Sequence, residues 1–523
     1  MHDYLILNAL CFDGSGSEPI KTNLAIKGDL ISYIGNNIPK SYHTIDADGL
    51  VLTPGFIDTH SHSEFTLASD GRAQGRIAQG VTTEINGNCG LSAGPIKGDA
   101  LRQRRADFLE YGLTEVWEDF EGYYRLLVQR GIAVNTATLC GQGNLRASVM
   151  GYVRGRADHI AMARMIELLS KAVNSGAKGL STGLIYPPGV FTETDELIEL
   201  CQGLANLKPD ALYVPHMRSE TDQLIEALRE SVEIAFRSGL RLHISHLKTG
   251  GRDNWHKIDK VIKTIEEAIE RGLKVTCDRY PYIASSTDLD TILPKEVFEG
   301  GVEEELKRLQ DPDVLGKIKG MLQAEPEDLW SEILISSTYS DKNRWMEGKT
   351  LSEISRQVNK SPIDIALELI IADRSRTGAI FFSMSEDNLR RFLKLPYMMI
   401  GSDSAVRSFD GPTCKGKPHP RGFGSFPRLI GKYVREEGLM ELPEAIRRIT
   451  LLPAQTFGLQ GRGLIKEGYF ADLTLFDYKT IGDRADYANP FQRPEGVLWV
   501  FVNGVPAYAN GEFTGSLSGR ILT

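Results

Sequence analysis

The chain has 523 residues, 41% of them hydrophobic and 25% charged, the proportions of a globular protein long enough for a decorated domain with an accessory module. Its formal net charge of −9 argues against a general nucleic-acid or anionic-membrane surface, because either needs a basic excess. No apolar run approaches the roughly 18–20 residues of a membrane span, and the six scattered cysteines form no CxxC pair, which points to a reducing, cytoplasmic compartment rather than a disulfide framework.

The first residues, Met1-His2-Asp3-Tyr4-Leu5-Ile6-Leu7-Asn8, lack the basic start and sustained apolar core of a signal peptide and read as a strand. Strand-like runs continue at Asn23–Lys27, Leu30–Ile34 and Thr44–Leu52, with Gly28-Asp29 and Gly35-Asn36-Asn37 as turns. The far end looks alike: Asp472–Phe476, Val497–Val502 and Val505–Ala509 are strand-like, and Asn503-Gly504 is a hairpin turn. Residues 1–53 and 465–523 are therefore expected to form one small β-sandwich module built from both chain ends.

Between them, residues 54–464 alternate. Eight short apolar segments read as buried parallel strands: Gly55–His62, Val81–Asn86, Ala133–Cys140, Ala177–Leu184, Ala211–Met217, Arg241–Leu247, Lys274–Asp278 and Tyr397–Ser402. Helical stretches at Ile160–Ser175, Thr221–Ser238 and Lys257–Arg271 are each followed by a glycine able to take the left-handed turn past a helix end. Eight strand-helix repeats predict a (β/α)₈ barrel, with a doubly wound open sheet as the alternative. The seventh and eighth strands lie too far apart for one connection. Residues 288–345 are expected to be an inserted subdomain placed over the active-site face, as a lid.

His60-Ser61-His62 ends the first barrel strand. Residues i and i+2 of a strand point the same way, so two imidazoles converge where barrel enzymes keep their active sites. His216 ends the fifth strand and His246 the sixth, one βα repeat apart. Four histidines at three strand ends suit a divalent metal better than core packing. His243 falls on the opposite face of its strand and reads as structural. Asp403 follows the eighth strand, placed to accept and deliver the proton of a water. Lys178 lies at the beginning of the fourth strand, at the wrong end for a metal bridge. Cys89, just past the second strand, is the preferred bridging ligand, since a thiolate can bridge two metals.

This order of HxH, His, His and Asp resembles the amidohydrolase superfamily. With Gly87-Asn-Cys-Gly, Pro215-His-Met-Arg, Ile244-Ser-His-Leu-Lys, Asp278-Arg-Tyr-Pro-Tyr, Gly401-Ser-Asp and His419-Pro-Arg-Gly-Phe-Gly-Ser-Phe-Pro-Arg, the sequence looks like the N-acyl-D-amino-acid deacylases, also called D-aminoacylases. The resemblance implies zinc as cofactor. One tight zinc would be held by Cys89, His216 and His246, and a weaker second position by His60, His62 and the shared Cys89. It implies Asp403 as the catalytic proton shuttle. It also implies that Lys248, Tyr280, Ser286 and Arg421 bind the carboxylate of a small-molecule N-acyl amino acid, with Tyr282 as a competitor for the role of Tyr280. The stretch between Asp403 and His419, with Arg407, Lys415 and Lys417, is longer than the family pattern; it either reshapes the substrate pocket or is a solvated basic loop. Two rivals remain at this point: a cyclic-amide hydrolase of the hydantoinase or dihydropyrimidinase type, which would use a carboxylated lysine in place of Cys89, and a catalytically dead barrel acting as a scaffold.

Overall fold

Short runs of β-branched and aromatic residues broken by glycine turns fold as expected at both chain ends. The computed structural model describes residues 1–523. β1 (His2–Cys11), β2 (Ile20–Lys27), β3 (Leu30–Gly35), β4 (Ser41–Asp46) and β5 (Val51–Pro54) come from the N-terminus. The chain then enters the barrel with β6 (Phe56–Asp58), β7 (Val81–Asn86), β8 (Asn135–Thr138), its short continuation β9 (Cys140–Gly141), β10 (Gly179–Gly183), β11 (Leu212–His216), β12 (Arg241–Ile244) and β13 (Val275–Arg279). An insertion follows with β14 (Ser285–Asp288), β15 (Ile333–Ser337) and β16 (Gly378–Phe381), before the last barrel strand β17 (Met398–Ile400). β18 (Leu473–Phe476), β19 (Val497–Val502), β20 (Val505–Ala509) and β21 (Glu512–Phe513) close the chain.

The eight barrel strands lie where the alternation placed them. Parallel pairing runs through β6-β7-β8 and through β9-β10-β11-β12-β13-β17. The two arcs join because β8 and β9 are one stretch of chain around Leu139. The other seam is closed by Thr59 N–H donating to Ile400 O at 3.4 Å and Asp403 N–H donating to His60 O at 2.8 Å. Closure excludes the open doubly wound sheet. The barrel interior is filled by Ile57, Ile85, Ala137, Leu139, Leu212, Val214 and Met399 together with Phe457, so it is a packed core and not a pore. The helices His159–Asn174, Leu224–Ser238 and Ile258–Glu270 pack outside, and Gly239 ends the second in the left-handed region at φ 76°.

The terminal strands form one nine-stranded sheet, ordered β21-β20-β19-β18-β5-β1-β2-β3 with β4 beside β1. The two ends of the chain meet where β18 pairs antiparallel with β5, from Leu473 opposite Pro54 to Phe476 opposite Val51. Register shifts in β1, β2, β18 and β19 bend this sheet around its own core of Ile6, Leu24, Ile26, Leu52, Leu473 and Phe501.

The insertion extends further than residue 345. Its separate core runs from Leu289 through Leu351 and Ile370 to Ala379, and β14, β16 and β15 form its antiparallel sheet. The helix Pro362–Ala372 is apolar on nearly every side, and Ile365, Ala366, Leu369 and Ile370 pack into the insertion. Periodicity alone does not say which core a helix joins.

Phe56 ties the barrel to the terminal sheet: it is fully buried, with ring centroids 5.8 Å from Phe426 and 6.2 Å from Phe476. Phe56→Ala is expected to cost about 3–5 kcal/mol, measured as a lower urea midpoint. An unchanged midpoint would mean that the two units are stable independently of this contact.

Candidate active site and metal centre

The register of the parallel strands sets the site at one end of the barrel. Gly183 pairs with His216 and Gly179 with Leu212, so His216 stands at the C-terminal end and Lys178 at the other. Five residues of strand separate them, about 16 Å. Lys178 is buried beside Lys208, and burial with that neighbouring charge lowers its pKa to about 8. It has no route to the metal centre.

His60 and His62 leave β6 over a buried ion network. Arg76 has its Nε 3.1 Å from Asp58 and 3.4 Å from Glu84, and its Nη2 donates to Ser61 Oγ at 2.9 Å and Ser404 O at 2.6 Å. Pinning Ser61 from beneath leaves the flanking imidazoles facing the opposite side. Cys89 follows β7 in the Gly87-Asn-Cys-Gly turn. A side chain at Gly87, where φ is +80°, would meet Leu139 O at 2.2 Å, so this turn needs glycine to bring Cys89 inward.

Cys89 Sγ lies 3.3 Å from His60 Nε2 and 3.4 Å from His246 Nε2. Two ligands of a tetrahedral ion with zinc-like bond lengths are about 3.5 Å apart, so this spacing fits metal donors. The ligand atoms of His60, Cys89, His246 and Asp403 all fall within 4.8 Å of one another, and so do those of His216, Glu220 and His246. His216 stacks edge-on against His246 at 4.4 Å between centroids, and both of its ring nitrogens are buried without a hydrogen-bond partner. Unpaired nitrogens in a buried site are costly unless something binds them. The donor set thus fits a divalent metal.

Burial raises a thiol's pKa, but at Cys89 the positive fields of His60, His246 and His62 outweigh it and hold the group well below its usual value. Cys11, by contrast, is pushed up to about 12 by burial and Asp13. Burial also raises Cys140, Cys201 and Cys277, so Cys89 alone among the buried cysteines is held below its ordinary value and toward the thiolate. Asp403 behaves similarly: burial would raise it, yet Arg421, His246 and His60 keep it well below the carboxylate range. Its Oδ1 is 3.2 Å from His62 Nε2 and 3.5 Å from His60 Nε2, and its Oδ2 accepts from Arg421 Nη1 at 2.8 Å.

Cys89, His246 and Asp403 share a feature that side-chain chemistry does not announce. Their φ angles are 51°, 34° and 51°, in the left-handed region that non-glycine residues rarely adopt. Each costs on the order of 1–3 kcal/mol and persists only where the surroundings over-determine it, as at active sites.

Three of the four residues expected to bind a carboxylate, Arg421, Tyr280 and Ser286, are in contact, and the fourth, Lys248, stands beside His246. Arg421 lies over the Tyr280 ring at 4.5 Å and its Nη2 donates to Ser286 O at 3.2 Å. The Tyr280 hydroxyl and Arg421 Nε are buried without partners, whereas the Tyr282 hydroxyl is bonded to Asp483 at 3.2 Å. Lys248 Nζ lies 2.6 Å from Glu220 Oε1 and 2.8 Å from His246 Nδ1. Each cation is thus already next to an acid. The long loop after Asp403 is held by main-chain oxygens: Arg407 donates to Thr413 O and Lys415 O, Lys415 to Glu110 O, and Lys417 to Ala488 O. Its basic groups brace the loop, with Lys415 itself exposed.

Two carboxylates at the centre escaped the sequence reading, Glu220 and Asp278. Asp278 Oδ2 accepts from His60 Nδ1 at 3.1 Å and from His243 Nε2 at 2.9 Å. The signal was present, since Asp278 is a carboxylate one residue before the end of the seventh strand, but its partner His60 is 218 positions away. His243 packs against Phe457 of the barrel interior at 5.2 Å between centroids and bonds to the same Asp278 oxygen as His60, so it supports the site from below.

The sequence matches the amidohydrolase family over residues 43–307 and 363–508; the interruption falls inside the insertion. A D-aminoacylase from Alcaligenes xylosoxydans xylosoxydans is 34% identical over 521 residues, 99% of this chain and 97% of that one. A solved N-acyl-D-glutamate deacylase from Bordetella bronchiseptica, complexed with zinc and a phosphonate mimic of the tetrahedral intermediate, is 30% identical and matches with a TM-score of 0.83, covering 100% and 99% of the two chains. A dihydropyrimidinase from Brevibacillus agri shares the fold at 16% identity and a TM-score of 0.56. The chain belongs to the amidohydrolase family and, within it, to the N-acyl-D-amino-acid deacylase group.

Proposed function

We propose that this protein is a zinc-dependent hydrolase that cleaves the amide of N-acyl-D-amino acids to a D-amino acid and a carboxylate. The observation that carries the reading is the donor set around Cys89: a thiolate, two facing imidazoles, and His216 buried with neither nitrogen bonded. Cys89, His216 and His246 would hold one tight zinc, with His60, His62 and the shared Cys89 as a weaker second position. A solved D-aminoacylase described as having a binuclear metal centre, with one-metal activation and second-metal attenuation, supports this division. The thiolate and the misplaced Lys178 speak against a hydantoinase-type centre. No helix is long and apolar enough to cross a membrane, and all six cysteines are unpaired, which supports a cytoplasmic setting.

Zinc supplies Lewis acidity here, polarising a carbonyl and acidifying water. Asp403 is an ionised carboxylate, so it can accept the proton of the attacking water. It then delivers that proton to the departing nitrogen, which would otherwise leave as an unfavourable anion. The α-carboxylate meets Arg421 Nε, the Tyr280 hydroxyl, Ser286 and Lys248, the first two being donors without partners. Sharing Arg421 between the substrate and Asp403 fixes which face of the α-carbon meets the metal. The insertion, which carries Ser286 on β14, forms one wall of this site and acts as its lid.

Asp403→Asn is expected to keep the fold and bound zinc while losing activity by about 10²–10⁴-fold, typical of a general acid-base group. A variant that keeps zinc and near wild-type turnover would require another proton carrier.

In steady-state assays, N-acetyl-D-amino acids are expected to turn over and their L-enantiomers not. Arg421→Ala should lower kcat/KM on the free acids by about 10- to 100-fold, the loss of one charge-assisted hydrogen bond. On the matching carboxyl-blocked amides the loss should be smaller, because only the contact with Asp403 remains. Equal losses would make Arg421 purely a support for Asp403, and preference for L-enantiomers or hydantoin rings would defeat the deacylase reading.

A further inference from the structure

His60 and His246 each turn Nε2 toward Cys89, and behind each ring stands a carboxylate. Asp278 Oδ2 lies 3.1 Å from His60 Nδ1. Glu220 Oε1 lies 2.8 Å from His246 Nδ1. An imidazole that ligates a metal through Nε2 is neutral and carries its single N–H on Nδ1, and an ionised carboxylate only accepts. At His60, Asp278 therefore holds the hydrogen on Nδ1; at His246, Nδ1 faces both Glu220 Oε1 and the Lys248 ammonium, and only the carboxylate can accept its hydrogen, so each acid favours the form whose Nε2 lone pair is free for the metal.

The two acids have different surroundings. Asp278 is fully enclosed: its Oδ2 also accepts from His243 Nε2 at 2.9 Å, and its Oδ1 from the His246 backbone N–H at 2.8 Å. His243 is held in turn by Thr276 Oγ1 at 2.8 Å. Glu220 takes Lys248 Nζ at 2.6 Å, and that ammonium is 2.8 Å from His246 Nδ1. Without an anion at position 220, Lys248 would donate to Nδ1. The ring hydrogen would then sit on Nε2, where it blocks ligation. Neither acid is within reach of the other's imidazole ring through any bond in the structure.

We propose that Asp278 and Glu220 are positioning residues that divide the metal centre between them, Glu220 setting the affinity of the tight position through His246 and Asp278 that of the weaker position through His60. This rests on the two-position zinc reading. His243, which touches no ligand, acts as the support of Asp278.

The test is zinc affinity on the full-length protein, by competition with a chelator and metal analysis, with circular dichroism as a check on the fold. Glu220→Gln is expected to weaken the tight position by about 10- to 100-fold. Asp278→Asn keeps an oxygen for the His246 backbone N–H, so it is expected to weaken the second position by a similar factor and the tight one by clearly less. Because Asp278 is buried, His243→Gln provides a second route: it loosens Asp278 without touching a ligand and should produce a smaller loss at the same second position. Equal weakening of both positions by each variant, or no change at the position each acid is assigned, would overturn this inference alone. Wild-type protein that takes up no zinc would overturn the zinc reading as well, before any variant is compared.

Discussion

Cys89 carries its charge between two imidazoles, His60 Nε2 at 3.3 Å and His246 Nε2 at 3.4 Å, in a place where almost no water reaches it. A lone anion buried this way would be strongly disfavoured. The cage makes the thiolate tolerable, and the thiolate makes the cage attractive to a soft cation. Everything around it serves to hold those atoms in one place. The seam between β17 and β6 brings Asp403 beside His60, Arg76 fixes the turn under Ser61, and the backbone at Cys89, His246 and Asp403 is kept in the left-handed region.

Charge pairing continues outward from that cage. Asp278 backs His60, Glu220 backs His246 and holds Lys248, and Arg421 holds Asp403. Each acid nearest the metal centre thus stands beside two or more basic groups. On the proposed reading, a substrate carboxylate would meet no free cations there, but cations already oriented by acids, with the Tyr280 hydroxyl and Arg421 Nε as the unpartnered donors. Orientation set before binding favours selectivity between enantiomers, because few alternative poses satisfy all the donors at once.

The barrel was legible because its signals are local. Apolar runs of strand length, glycines past helix ends and histidines at strand ends all lie within single repeats. His60, His62, His216 and His246 stand out for that reason, and so does Asp403 at the last strand. Asp278 and Glu220 did not stand out, because a carboxylate behind an imidazole is recognised only by a contact between distant segments. The left-handed backbone at three site residues has no sequence signal either, since none of them is glycine. The insertion runs past residue 345 for a related reason: the helix Pro362–Ala372 joins the core of Leu289 and Leu351, a contact between distant segments.

The central claim is a zinc centre built on a thiolate, and X-ray absorption at the zinc edge of the metal-loaded protein tests it most directly. The account predicts a sulfur shell at about 2.3 Å beside nitrogen and oxygen neighbours near 2.0–2.1 Å, with the sulfur shell lost in Cys89→Ala. A spectrum of wild-type protein with nitrogen and oxygen ligands alone would contradict it.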